Sequence, residues 1–197
     1  MLILASQSQT RKALLQQAGL VFATQPAEVD ERALEEATLT SGGGGRDVAL
    51  ILAQRKALTV SAVHPGAIVI GADQTLSLGT VLLHKPADRD EAAAQLDQLR
   101  GKTHRLHAAV ALAQDNQLLW SDIETAELTM REFSTAERDD VLNREGEAVL
   151  GSVGSYRLEG PSIRLFETVT GDYFTILGLP MLPLLAALRS FAPETLL

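Results

Sequence analysis

Residues 67–73 read AIVIGAD, an apolar run that stops on an acid. Ala67, Ile68, Val69 and Ile70 show no polar alternation and are mostly β-branched, the pattern of a strand buried on both faces. Such a strand belongs in a sheet covered on both sides. Gly71 and Ala72 are small enough to let another chain or a ligand approach the backbone. Asp73 follows, flanked by Gln74 and Thr75, at the expected end of the strand. Ligands of open α/β sheets sit at the carboxyl ends of strands, whereas an acid there also caps turns. The stretch alone leaves both readings open.

Along the rest of the chain the hydrophobic period switches repeatedly between strand-like and helix-like, which points to α/β or α+β rather than a bundle or sandwich. LILA (2–5) reads as a strand and TRKALLQQAG as a helix, with Ser8 as N-cap and Gly19 just past its end. VFAT (21–24) reads as a short strand, TSGGGG (40–45) as a loop, and DVALILAQRKALTVSAV as a helix. TLSLGTVLLHKP suggests two short strands about Gly79. Asp88 with Glu91, and Ser134 with Glu137, form capping boxes for two further helices, the first ending at Gly101. HRLHAAVAL and LLWSDIETAELTMREF predict a long hairpin turned at Asp115-Asn116. SIRLFETVTG and LGLPMLPLLAALRSF predict a last strand and a closing helix. No internal repeat or long linker interrupts the pattern, so residues 1–197 are read as one continuous domain.

Composition excludes several classes. The chain has no cysteine, which removes disulfides, thiolate nucleophiles and Cys-based zinc sites. A net charge of −8 argues against a nonspecific nucleic-acid binder. No apolar run approaches the ~20 residues of a membrane span, and MLILASQSQTRK lacks the basic region of a secretory signal, so the expected location is cytoplasmic.

Three tempting motifs fail on context and a fourth is absent. Gly101-Lys102-Thr103 has the ending of a phosphate loop, but position 96 is Leu where that loop needs glycine. The glycines at 42–45 lack a preceding strand. His104 and His107 are three apart in an expected strand and so face opposite sides. With His64 and His84 they read as surface or turn histidines. No G-x-S-x-G elbow occurs.

What remains is a set of charged residues at the edges of expected elements. Ser6 and Arg11 flank the first strand-to-helix turn, where a helix N-terminus and a guanidinium attract anions. Glu31 lies in EVDERAL, Lys56 in AQRKA, Asp73 in GADQTL and Lys85 in LHKPAD. Taken singly, each is an ordinary surface or cap charge. Together they offer two carboxylates to a hard divalent ion and three cations to phosphate oxygens.

LASQSQTRKALL, EVDERAL, AQRKA, GADQTL and LHKPAD, in this order and spacing, resemble the Maf family of nucleoside triphosphate pyrophosphatases. LRGKTHRLHAAVAL, GSYRLEG and TGDYFTILGLP extend the resemblance over nearly the whole chain. It implies an elongated mixed α/β fold related to inosine triphosphate pyrophosphatases, with a β-sheet, flanking helices and a cleft between two lobes. It also implies hydrolysis of a nucleoside triphosphate to monophosphate and pyrophosphate, assisted by Mg²⁺ or Mn²⁺. Asp73 takes the position of the family's general base. Glu31, Lys56, Lys85 and Arg11 match further catalytic positions, Ser6 a substrate-binding one, and Glu31 and Asp73 would hold the metal. How those two divide base and ligand duties stays open.

Substrate choice is where this chain departs. Gln9-Thr10-Arg11 stand where the family commonly has Pro-Arg-Arg, so Thr10 replaces a substrate-selecting arginine or tryptophan. Gln74 and Glu159 resemble instead the subgroup acting on 7-methyl-GTP. Thr10, Gln74 and Glu159 are therefore expected around the base, against the plainer reading that Glu159 pairs with Arg157 or Arg164. His84 stands where a glycine or acid is frequent. The expected partner is a nucleoside triphosphate, noncanonical or modified, without nucleic acid or membrane and with a homodimer left open. Two other functions compete: a nucleotide-binding regulator of septation, and a nucleotidyltransferase, for which no acceptor-binding region is found.

Overall fold

The computed structural model describes residues 1–196. In chain order its elements are β1 (Leu2–Ala5), α1 (Gln9–Gln17), β2 (Ala23–Thr24), α2 (Glu31–Thr40), α3 (Gly45–Ser61), β3 (Ile68–Leu78), β4 (Val81–Leu83), α4 (Arg89–Leu99), β5 (Thr103–Gln114), β6 (Gln117–Met130), α5 (Thr135–Glu145), β7 (Phe166–Thr170), α6 (Tyr173–Ile176) and α7 (Met181–Phe191). The strands make a seven-stranded mixed sheet in the order β2-β1-β3-β5-β6-β7, with β4 paired to β3. The expected mixed α/β sheet with flanking helices is the observed one. Contacts group the chain into two compact units. One comprises Met1–Gln74, His107–Thr125 and the chain from Asp172, the other Thr75–Leu106 and Ala126–Gly171.

Local signals set most boundaries. The Ser8 hydroxyl accepts from the Arg11 amide to start α1, and Gly19 at φ +78° ends the turn after it. Asp88 caps α4 by accepting from the Glu91 amide, and Ser134 with Glu137 makes a reciprocal box at α5. Asp115 and Asn116 both take positive φ, 50° and 60°, as a two-residue hairpin turn with right-handed strand twist requires.

In the first unit, β1 runs parallel to β2 and to β3, with Leu2 opposite Ile68 and Ala5 opposite Gly71. The period of two sorts their side chains onto two covered faces. Leu2, Leu4, Ile68, Ile70 and Ala72 pack with residues of α1 and α7, including Leu14, Leu15, Leu184 and Leu188. Ile3, Ala5, Ala67 and Val69 pack on the other face with Val60 of α3. On the same helix Ala49, Ala53 and Ala57, spaced by four, meet Ala109, Ala111 and Ala113 of β5, spaced by two. Methyl against methyl lets the helix lie close to the sheet. At Gly71 the approach is closest: a Cβ there would overlap the Ala53 carbonyl and stand 2.6 Å from the Ala57 nitrogen.

Several expectations shift. β3 does not end at Asp73 but continues to Leu78, because its ladder finds a new partner in β4, with Leu76 opposite Leu83. Asp73 nevertheless lies just beyond the end of the β1 pairing, since Ala5 is the last β1 residue and sits opposite Gly71. The expected loop holds for 41–44, which separate α2 from α3, while Thr40 ends the first helix and Gly45 begins the second. Residues 161–165 form a 3-10 turn with Pro161 at its start, and β7 begins only at Phe166. His104 and His107 are buried rather than surface groups. His104 Nε2 shares a 2.7 Å hydrogen bond with the Tyr156 hydroxyl, and His107 Nδ1 a 2.9 Å bond with Thr125. The two face opposite sides of β5 and both are buried because the strand is covered on both faces, residues 106–113 showing no alternation, and their partners are ones that sequence distance hides. No helix among the described residues is long and apolar enough to cross a membrane.

The first consequence concerns Gly71. Gly71→Ala is expected to lower stability by about 1–3 kcal/mol, because the methyl meets helix backbone that cannot rotate away. Gly151→Ala, where a Cβ meets nothing within 4 Å, should stay within about 0.5 kcal/mol of wild type in the same urea titration. The second concerns acid. Burial pushes the His104 imidazole down from 6.5 to about 4. The unfolded chain therefore takes up a proton below pH 6.5 that the folded chain refuses until about pH 4. Stability is fully present above the unfolded value and falls across that window, by on the order of 3 kcal/mol from this residue. His104→Gln should flatten that part of the pH dependence in urea unfolding between pH 7 and 4.

Candidate active site

The turn after β1 gathers hydrogen-bond donors. The Ser6 hydroxyl accepts from the Ser8 amide at 3.2 Å and from Arg11 Nη1 at 3.2 Å. Arg11 stands in the first turns of α1, a helix with no acid at its start, and is half-buried. Its Nη1 also donates to the Ala72 carbonyl at 3.0 Å and its Nε to the Gly178 carbonyl at 2.8 Å. The guanidinium thus ties the β1 turn to β3 and to the segment following α6. Burial lowers its proton affinity, while Asp73 and then Glu31 raise it. A planar fork held this way is also a ready phosphate donor.

The acids converge on one ammonium. Lys56 Nζ lies 2.6 Å from Asp73 Oδ1 and 2.7 Å from Glu31 Oε1. The two carboxylate oxygens are therefore within a few ångströms of each other. The side chains of Lys56 and Asp73 are each 12% exposed, whereas Glu31 is 55% exposed. The three come from three elements: Lys56 from the α3 face that meets Gly71, Asp73 two residues on along that same strand face, and Glu31 from the first turn of α2. Asp30 caps α2 by accepting from the Ala33 amide, which fixes where Glu31 begins the helix. A buried carboxylate stripped of its cation costs about 3–5 kcal/mol, so Lys56 secures the acid that the site keeps.

Gln74 points to the opposite face of β3. Its amide Nε2 donates to the Thr175 carbonyl at 3.0 Å and the Ile176 carbonyl at 2.9 Å. Its oxygen faces Gly178, which holds φ +92° and where an added Cβ would come within 3.1 Å of that oxygen. Thr175 in turn donates its hydroxyl to Glu124. Thr10 stands half-buried in the first turn of α1.

Seven of the residues singled out from sequence, Ser6, Thr10, Arg11, Glu31, Lys56, Asp73 and Gln74, thus fall in one unit, and bonds join Lys56 to Glu31 and Asp73 and join Arg11 to Ser6. Lys85 and Glu159 belong to the other unit. Lys85 is exposed ahead of buried Pro86, and Glu159 accepts from Arg157 Nε at 3.2 Å. The pairing of Glu159 with Arg157 is the plainer of the two readings that sequence allowed.

For a metal, the donor set is two carboxylates. No group of three or more His, Cys, Asp or Glu fit to hold an ion is found among the described residues. An ion held by two carboxylates completes its shell with water and substrate phosphate oxygens. Glu31 and Asp73 fit such an ion.

Sequence reasoning missed the part played by the backbone of Thr175, Ile176 and Gly178. Carbonyl oxygens are the same in every residue type, so only the TGDYFTILGLP stretch marked the region, without naming partners.

A Maf-like protein family model matches residues 1–191. A relative from Brucella abortus named 7-methyl-GTP pyrophosphatase is 52% identical over 95% of this chain and 94% of its own. One from Bradyrhizobium diazoefficiens named nucleoside triphosphate pyrophosphatase is 54% identical over 96% and 93%. A solved nucleoside-triphosphatase (dITP/XTP pyrophosphatase) from Mycobacterium abscessus aligns over 100% of this chain and 97% of its own, at a TM-score of 0.44 and 16% identity, a likeness too slight to argue from. With a family match across 1–191 and relatives above half identity, the chain belongs to the Maf-like protein family.

Proposed function

We propose that this protein hydrolyses a nucleoside triphosphate to the monophosphate and pyrophosphate, by attack of water on the α-phosphorus. The observation that carries the reading is the convergence of Asp73 and Glu31 on Lys56, beside Arg11. The relatives' names, 7-methyl-GTP pyrophosphatase and nucleoside triphosphate pyrophosphatase, support an enzyme over a septation regulator.

In this reading the bond between water oxygen and the α-phosphorus forms as the bond from that phosphorus to the pyrophosphate oxygen breaks. Asp73 orients the water and takes its proton, the role for which a carboxylate held in place is suited. Glu31 and Asp73 would hold a divalent ion such as Mg²⁺ or Mn²⁺, which when bound supplies charge neutralisation at the phosphate oxygens. Arg11 and Lys56 balance charge on the triphosphate, with Ser6 and the start of α1 offering further donors. Lys85 as a phosphate contact, and Thr10, Gln74 and Glu159 as base contacts, are proposed on the family resemblance. Both amide hydrogens of Gln74 serve backbone carbonyls, so its oxygen is the atom left for a nucleoside. Since Gln74 and Glu159 match the subgroup acting on 7-methyl-GTP, that nucleotide is the first substrate to try.

Asp73→Asn keeps shape and removes the base, so turnover should fall by about 10²–10⁴ while nucleotide binding persists. Wild-type turnover in a stopped assay would refute the role of Asp73. Chelation should abolish hydrolysis and Mg²⁺ or Mn²⁺ restore it. Phosphorus NMR of the products should show pyrophosphate and monophosphate. Orthophosphate as first product would place attack at the γ-position and overturn the reading.

A further inference from the structure

Glu145 is a carboxylate with no exposed side-chain surface. It ends α5, where the helix dipole disfavours negative charge, and an apolar side chain would pack there at lower cost. The acid must therefore be held by donors. Among the described residues, the donors that reach it come from the short stretch 157–162. Glu145 Oε1 accepts from the Ser162 amide at 3.0 Å and the Ser162 hydroxyl at 2.7 Å, and Oε2 accepts from Arg157 Nη1 at 3.4 Å. Between them the backbone lies directly on the carboxylate: a Cβ at Gly160 would stand 2.5 Å from Oε1 and 2.9 Å from Oε2. The same Arg157 donates its Nε to Glu159 Oε1 at 3.2 Å. One guanidinium thus bridges the buried acid and the half-exposed one.

We propose that Glu145 is a positioning residue for nucleotide selection, fixing the 157–162 turn so that Arg157 sets the direction of the Glu159 carboxylate. An isolated Arg157–Glu159 pair at the surface would be loose and worth little. Anchored to a dry carboxylate, the guanidinium has a fixed plane, and Glu159 accepts along it. The inference rests on the reading of Glu159 as a base contact, and adds why that carboxylate has one orientation rather than several. It also gives the Glu159-Gly160 sequence a reason, since only glycine leaves room for the carboxylate beneath.

The test is kcat/KM for 7-methyl-GTP, GTP and UTP with wild type, Glu159→Gln, Glu145→Gln and Arg157→Met. Arg157 is partly exposed, so Arg157→Met cuts the bridge while leaving the Ser162 bonds, and it carries the test if Glu145→Gln folds poorly. Glu159→Gln should change the 7-methyl-GTP to UTP ratio by about tenfold or more. Glu145→Gln and Arg157→Met should shift that ratio the same way, through KM more than kcat. Adding Glu145→Gln to Glu159→Gln should shift it no further, as expected of residues acting in one chain. A merely structural Glu145 would lower the melting temperature and leave every ratio intact. If Glu159→Gln shifts the ratio but the other two do not, the positioning role fails alone. If Glu159→Gln leaves the ratio unchanged, the base-contact reading fails and takes this inference with it.

Discussion

The close approach of α3 to β3 at Gly71 is the constraint on which the acid site depends. A helix is normally held off a sheet by the side chains between them. Here the helix presents Ala53 and Ala57, the strand presents a hydrogen at Gly71, and the neighbouring strand presents Ala109, Ala111 and Ala113. With nothing larger than a methyl between, helix backbone comes within contact of strand backbone. Lys56, the residue before Ala57, is thereby delivered to Asp73, two residues past Gly71 on the same strand face.

That geometry explains why a nearly buried carboxylate survives in the middle of a strand. Asp73 loses water, and the loss is offset by a cation on the adjacent helix and by the nearby charge of Arg11. The opposite strand face does a different job. There Gln74 holds carbonyls of the segment from Thr175 to Ile176, and Arg11 holds that of Gly178. One strand thus binds its acid through one face and a C-terminal segment through the other. The period of two in β3 is what keeps the tasks apart.

Much of this was legible from residues alone. AIVIG announced a strand covered on both faces, and the capping residues Ser8, Asp88 and Ser134 marked helix starts because their oxygens satisfy amides only a few residues away. Asp115-Asn116 marked its hairpin because few residues tolerate two successive positive φ values. Where sequence misled, the deciding partner was distant. β3 outlasts Asp73 because β4 is there to pair with it, and His104 is buried because Tyr156 and Phe166 close over it. Residues 161–165 have strand-like composition, yet they turn about Pro161 while Ser162 binds Glu145.

The sequence by itself determined which residue types were available for chemistry, and the order of elements that carry them. The absence of cysteine, the acids at 31 and 73 and the cations at 11, 56 and 85 follow from composition and motif. Side-chain chemistry and near-neighbour hydrogen bonds suffice for that. Only the tertiary structure decided that Lys56 stands between Glu31 and Asp73, that Arg11 binds the Ala72 and Gly178 carbonyls and Gln74 those of Thr175 and Ile176, and that Glu145 lies beneath the turn of Glu159. These contacts join segments far apart in the chain, several through backbone oxygens. No residue-type pattern encodes such partners, because their distances are set by packing of helix on sheet and turn on helix.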